Sequence, residues 1–443
     1  MTSVSKPTPG YQAAPKTHHY EFGGPIGALG VTLAVPFFTY WLAFACTDKA
    51  CPPWPLSELR QFHTAGLAAM HSGPEWWARL WSWEATAVYG AWYAWTVICW
   101  AVLPGDQVEG APLRNGHKLK YKMNAFSTMM LTLAIIAGWT VVRGPDALLY
   151  IPHHFPQLIS AALAMSFAQA CFVYAQSYVG EQMLAIGGNS SNPLYNVRRF
   201  WFIGRGLNPR LGSFDIKAFN EMRPGLILWV IIDLAMIAWQ YERIGRVTDS
   251  ILLTTAFHAF YVVDAEFNEA AILTTMDITT DGFGFMLSVG DLLWVPFTYS
   301  YTAYYLAQNP KDIGLVGCLG VLAVQSVGYW IFRGANNEKN EFRQGRNPKN
   351  LTSFQTERGT RLLTSGWWGR SRHPNYLGDW VMAWAWCLPC GFTSPLPYFY
   401  VVYFAILLVH RQMRDDEACA IKYKKDWETY KKLVPSRIIP YIY

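Results

Sequence analysis

Apolar runs of about twenty residues recur along this chain, and no other feature limits its fold so tightly. The stretch FSTMMLTLAIIAGWTVV, inside residues 123–143, is one of them. A helix needs ~20 such residues to cross the hydrocarbon core of a bilayer. Lipid offers no hydrogen bonds, so a spanning segment must satisfy its backbone internally, as a helix does. Hydropathy places runs near 25–47, 86–104, 123–143, 158–180, 224–241, 250–266, 284–307, 312–333, 376–391 and 396–413. Composition agrees: 52% of the 443 residues are hydrophobic and 15% are charged, against roughly 25% charged in a typical soluble domain. The expected fold is all-α, a polytopic bundle of about ten transmembrane helices with cytosolic loops.

Charge supplies the orientation. Arg114, Lys118, Lys120 and Lys122 share one loop, and Arg198, Arg199, Arg205, Arg210, Lys217 and Arg223 share another. The loop 334–375 and the tail after His410 are also rich in Lys and Arg, whereas the alternate loops hold few. Basic loops mark the cytosolic side, so both termini are expected there. The net charge of +6 then reflects membrane topology and not nucleic-acid binding. Residues 1–20 are polar and contain proline, with no apolar core of a cleavable signal. They read as a short cytosolic tail before one membrane domain, residues 21–443. Cys46 and Cys51 flank a loop where a small disulfide would fit an oxidising compartment. Cys387 and Cys390 form a CxxC, but no second Cys or His pair lies nearby to complete a zinc site. They read as small apolar residues in a helix, and no metal site is expected.

Three features carry chemistry. The first is a set of acids inside apolar runs: Asp233, Asp264, Glu266 and Asp291. A charge at bilayer depth costs several kcal/mol, so each is expected to face a partner or a cavity. The second is the stretch NNEKNEFRQGR, where Lys339 and Arg343 stand four apart and share a helix face. Two cations on one face suit a phosphate, and the plain alternative is lipid-headgroup charge. The third is the tail LLVHRQMRDDEACAIKYKKDWETYKKL, in which Arg411, Asp415, Cys419 and Tyr423 step by four along one stripe, extended by Trp427 and Tyr430. An amphipathic interfacial helix explains its lysines but not that stripe. Between the last two features lies LLTSGWWGRSRHPNYLGDW, residues 362–380. Trp367 and Trp368 could stack on a ring, Asn375 and Tyr376 could hydrogen-bond an amide or ribose, and Arg370 and Arg372 could meet phosphate. No GxGxxG after a strand and no P-loop is present, so a nucleotide would sit in a pocket of helices and loops.

These residues resemble the sterol C-14 reductases, in a wider group with sterol C-7 and C-24(28) reductases and the membrane domain of the lamin B receptor. The resemblance rests on LLTSGWWGRSRHPNYLGDW, LLVHRQMRDDEACAIKY and the ending PSRIIPYIY. YEFGGPIGA and DITTDGFGFMLSVGDLLWVPF resemble the C-14 branch in particular. It departs at Lys424, where the family has Gly, and at Asn196 or Phe200, where the family has Asp. The resemblance implies a ten-helix endoplasmic-reticulum membrane protein that takes a sterol from the bilayer and NADPH from the cytosol, in association with other sterol-biosynthesis enzymes. It places cofactor contacts mainly within 334–443, on Lys339, Arg343, Leu363, Trp368, Asn375, Tyr376, Asp415, the run Cys419, Ala420, Ile421, Lys422 and Tyr423, and on Tyr430.

The implied reaction reduces the C-14 double bond of a sterol 8,14-diene. An isolated alkene has no carbonyl to polarise, so an acid must protonate C-15 before hydride reaches C-14. The resemblance points to Tyr261 as that acid, with Asp415 supporting it by hydrogen bonding or charge. Asp264, Glu266 and Asp291 are alternative donors or relay members. Reduction of a C-7 or C-24(28) bond, an inactive sterol-binding relative, a transporter and a membrane methyltransferase remain alternatives.

Overall fold

The computed structural model describes residues 24–45, 76–179, 183–185 and 201–443. Cys46, Cys51, Asn196 and Phe200 lie outside the described residues, as does the N-terminal tail. The chain forms two compact units: Met1–Val247 with His258–Asn309, and Thr248–Phe257 with Pro310–Tyr443.

Among the described residues, five helices are long and apolar enough to cross a membrane: Ile26–Ala45, Ala125–Arg143, Phe155–Gln176, Ile216–Ile244 and Gly314–Arg343. Their exposed faces carry large apolar side chains such as Ile135, Val141, Val142, Leu315, Val316 and Leu319. In water such a surface would be costly; in lipid it is the matched solvent. The expectation of helices throughout needs one amendment. Among the described residues, three short antiparallel hairpins stand between helices, pairing Asp106–Glu109 with Lys120–Met123, Arg210–Leu211 with Phe214–Asp215, and Ser353–Gln355 with Arg361–Leu363.

In the first unit, the helix Pro224–Ile244 is central, and Ile227, Trp229, Ile232, Ala235 and Met236 are fully buried on it. Proline at its first position costs no hydrogen bond, since that N–H has no helical partner. Gly225 lets the helix close against the next segment, because a Cβ there would lie 1.8 Å from the Asp291 carbonyl oxygen. The run 284–307, expected as one span, is helical nearly throughout but changes register. It forms an α-helical turn Phe285–Val289, a π-helical stretch Gly290–Tyr299 containing Pro296, and a second α-helix Tyr301–Gln308. Proline cannot donate to the helical ladder, and the wider register accommodates it.

Buried polar groups knit the ends of this unit. Asp215 caps the helix Ile216–Met222, accepting from the Ala218 N–H at 2.9 Å. The Lys217 ammonium is fully buried and donates to three carbonyls, Asp277, Ile278 and Asp281, at 2.6, 2.9 and 2.8 Å. Arg223 donates to Glu269 at 2.7 Å and to the Asn124 side chain at 2.9 Å, while the other Glu269 oxygen accepts from the Ala125 N–H.

In the second unit, two helices meet almost backbone to backbone. A Cβ on Gly378 would lie 2.5 Å from the Phe332 nitrogen, and one on Gly328 would lie 2.8 Å from the Met382 nitrogen. Small residues permit this approach where lipid provides no hydrophobic drive. The contact locks Gly314–Arg343 against Pro374–Cys387. The Asp249 carboxylate caps the start of the former, accepting from the N–H groups of Ile313 and Gly314 at 2.9 and 2.8 Å. That helix runs ten residues past the expected end of its apolar span, carrying Lys339 and Arg343 beyond it on regular helical spacing. Cys387 ends the helix Pro374–Cys387 and Cys390 follows in a 3-10 turn, both buried, with the Cys387 thiol donating to the Pro397 carbonyl at 3.2 Å.

Candidate functional site

The second unit gathers most of the expected binding residues around the end of Gly314–Arg343. Trp368 is buried and donates its indole N–H to the Ala335 carbonyl at 2.7 Å. Lys339 Nζ lies 4.3 Å from the centre of its ring, a cation–π contact that fixes the ammonium. Arg343, one turn on, is the last residue of the helix and is exposed. Cations there also complement the negative end of the helix dipole.

A second wall comes from the helix Phe399–Tyr423. Asp415 and Cys419 stand on one stripe, with the thiol 3.8 Å from Asp415 Oδ2. Burial pushes the Asp415 carboxyl above its ordinary range, against the pull of Lys339. Burial, helped by Asp415, pushes the Cys419 thiol up to about 12, so it is a thiol and not a nucleophile. Lys339, Arg343, Asp415 and Cys419 therefore share one electrostatic neighbourhood.

The stripe does not continue as one helix. Lys424 has φ +51° and ψ −121°, and a separate helix Lys425–Leu433 begins after it. Trp427 and Tyr430 consequently fold back, packing with Leu362, Cys419, Ala420 and Tyr423. The Tyr430 hydroxyl donates to the Leu363 carbonyl at 2.9 Å, tying this helix to the hairpin. This backbone conformation favours glycine, the residue the resembled family carries there. Lys424→Gly is expected to stabilise the protein by about 1 kcal/mol, relief of strain outweighing the added chain entropy. Thermal unfolding in detergent would check it; a lowered midpoint would contradict it.

The third wall is the segment before Pro374. Asn375 and Tyr376 open the helix Pro374–Cys387, and Tyr376 stacks on His373 with ring centres 4.9 Å apart. Asn375 Oδ1 and Ser371 Oγ are buried with no hydrogen-bond partner among the described residues. Arg372, expected to be open to phosphate, is instead buried, 3.7 Å from Asp416 and against the Trp427 ring. Asp416 also accepts from the Trp427 indole at 3.1 Å. Arg370 lies over Trp367, which packs edge-on against Trp330. Ile421 and Lys422 face away: Ile421 is 78% exposed, and Lys422 contributes its carbonyl to Arg358 at 3.1 Å.

His373 was not singled out by pattern, yet it sits centrally, its Nε2 3.6 Å from Asp415 Oδ2. Burial, with Lys339 and Arg372 nearby, lowers it to about 3, so the imidazole is neutral and the contact is not an ion pair. Its place directly before Pro374 was the available signal. Glu338 was also missed; it accepts from the Trp367 N–H at 2.9 Å and from Lys349 at 3.0 Å.

Tyr261 belongs to the first unit. It lies half-buried on the helix Asp249–Phe267, its ring 6.1 Å from that of Trp229. Glu266, on the same helix, is buried with neither carboxyl oxygen hydrogen-bonded among the described residues. Asp291 stands in the first turn of the π-helical stretch.

Comparison with known proteins follows the whole chain. The model of the ergosterol biosynthesis ERG4/ERG24 family matches residues 16–443. Delta(14)-sterol reductase erg24 of Schizosaccharomyces pombe is 48% identical over 429 residues, covering 96% of this chain and 97% of that protein. Delta(14)-sterol reductase of Neurospora crassa is 45% identical over 482 residues, 97% of each chain. Delta(14)-sterol reductase ERG24 of Saccharomyces cerevisiae is 42% identical over 445 residues, 97% of this chain and 99% of the other.

Proposed function

Because this chain belongs to the ergosterol biosynthesis ERG4/ERG24 family, we propose that it is an NADPH-dependent sterol C-14 reductase. The observation that carries this reading is its end-to-end likeness to proteins named for that reaction. The substrate is a sterol 8,14-diene taken from the bilayer. The protein works in the endoplasmic-reticulum membrane with cytosolic termini, alongside other enzymes of sterol biosynthesis.

The residues of the second unit fit NADPH. Lys339 and Arg343 offer two cations four residues apart on one helix, an arrangement that suits phosphate. Asn375 Oδ1 and Ser371 Oγ are buried acceptors still lacking donors among the described residues, as an amide or ribose hydroxyl would supply. Leu363, Trp368, Tyr376, Asp415, the run Cys419 to Tyr423, and Tyr430 complete the binding set. Bound NADPH supplies the hydride that ends at C-14.

The chain must supply the proton. Tyr261 donates its phenolic proton to C-15, leaving positive charge at C-14. A general acid fixed in an apolar setting delivers the proton without competing water. Asp415, whose carboxyl burial raises above its ordinary range, is the group assigned to support the donor by hydrogen bonding or charge. His373 stays neutral beside it and adds no competing charge.

Membranes containing the protein should convert an 8,14-diene sterol to the 8-ene only when NADPH is added, read by mass spectrometry with double-bond assignment. Turnover of a 7-ene or 24(28)-ene substrate instead would reassign the bond reduced. Lys339→Ala and Arg343→Ala should each raise the KM for NADPH by about 10–100-fold, the equivalent of a lost charge-assisted hydrogen bond. The sterol KM should not move. An unchanged NADPH dependence in both variants would remove the phosphate role.

A further inference from the structure

The mechanism leaves unused an acid–base couple buried in the middle of the first unit. Asp233 and His258 are both fully buried, with Asp233 Oδ2 2.8 Å from His258 Nδ1. The same nitrogen lies 3.2 Å from the Trp229 indole N–H, and the imidazole and indole rings are 4.8 Å apart. On the far side, His258 Nε2 lies 3.5 Å from the Thr302 hydroxyl. Carrying such a pair into an apolar span costs several kcal/mol, a cost that packing alone would not select.

Trp229 is the link outward. Its ring lies 6.1 Å from Tyr261 and stands edge-on to Tyr299 at 5.3 Å. His258 and Tyr261 are three residues apart on one helix, so they are neighbours on its surface. The single lone pair of Nδ1 sets the logic. Nδ1 can serve Asp233 or the indole N–H but not both, and its shorter contact, at 2.8 Å, is with Asp233, which fixes the imidazole with its ring packed against the indole.

We propose that Asp233 and His258 are positioning residues for Tyr261, acting through the Trp229 ring to hold the phenol in line for proton transfer. This rests on the reading of Tyr261 as the proton donor. A displacement of about 1 Å at a reacting group costs up to a hundredfold in rate, so a ring held by a buried couple repays its desolvation.

The test measures kcat and KM on the purified protein with an 8,14-diene sterol and NADPH, for Asp233→Asn, Trp229→Phe, their double variant and Tyr261→Phe. Asp233→Asn and Trp229→Phe should each lower kcat about tenfold or more, with both KM values unchanged. The double variant should lose no more than the worse single, because the two act in series. Unchanged kcat, additive losses, or a fall confined to KM would overturn the inference. If Asp233→Asn does not fold, judged by thermal unfolding and NADPH binding, Trp229→Phe decides alone. Should Tyr261→Phe keep the wild-type rate, the donor reading itself fails. Should it be inactive while the other two are normal, only the positioning role fails.

Discussion

Tyr261→Phe is expected to abolish reduction of the sterol double bond, lowering turnover by about 10²–10⁴-fold, the usual worth of a general acid. The substitution removes one oxygen and preserves the ring, so packing against Trp229 persists. An alkene cannot accept hydride until it is protonated, and phenylalanine has no proton to give. Affinity for NADPH should be untouched, since Tyr261 is not among the residues assigned to the cofactor. The check is a paired measurement of sterol turnover and NADPH binding on the same preparation. Full activity would exclude Tyr261 as the donor and move attention to Glu266, which is buried with no hydrogen bond to its carboxyl oxygens among the described residues. Loss of both activities together would indicate a folding defect instead.

Arg223→Met should be the most damaging single change to stability, at about 3–5 kcal/mol, the cost of breaking a buried ion pair from one side. Arg223 and Glu269 are both buried at a separation of 2.7 Å. The same guanidinium bonds the Asn124 side chain and the Lys122 carbonyl, while Glu269 holds the Ala125 N–H. One pair thus ties together the starts of two helices and the segment after a third. Methionine fills similar volume but leaves Glu269 buried beside Glu266 without a countercharge. Thermal unfolding in detergent should show a large fall in midpoint. Adding Glu269→Gln should recover much of it, because the stranded charge is then gone. Equal stability of wild type and Arg223→Met would mean that the pair contributes no net stabilisation.

Much of the candidate site was legible because its signals are local. Lys339 and Arg343 share a face through helical spacing alone, and the helix extends far enough to present them. Asp415 and Cys419 are one turn apart for the same reason. Other assignments depended on partners remote in the chain. Arg372 looked free to bind phosphate, but Asp416, 44 positions on, and the Trp427 ring enclose it. His373 gave no pattern of its own, and its importance comes from lying beside Asp415 and Lys339. The run 284–307 read as one apolar span, but hydropathy is blind to backbone register and could not show the π-helical stretch around Pro296.

By itself the sequence determined the membrane class, the predominantly helical character and the faces that carry charge. Each follows from residue type and a period of 3.6, properties that a short window contains completely. Tertiary structure alone decided which buried groups meet: Asp233 with His258, Arg223 with Glu269, Lys217 with three distant carbonyls. It also decided that Lys424 must take a conformation suited to glycine. The physical reason is that a buried polar group is stable only beside its complement. Which complement arrives depends on how helices far apart in the chain pack.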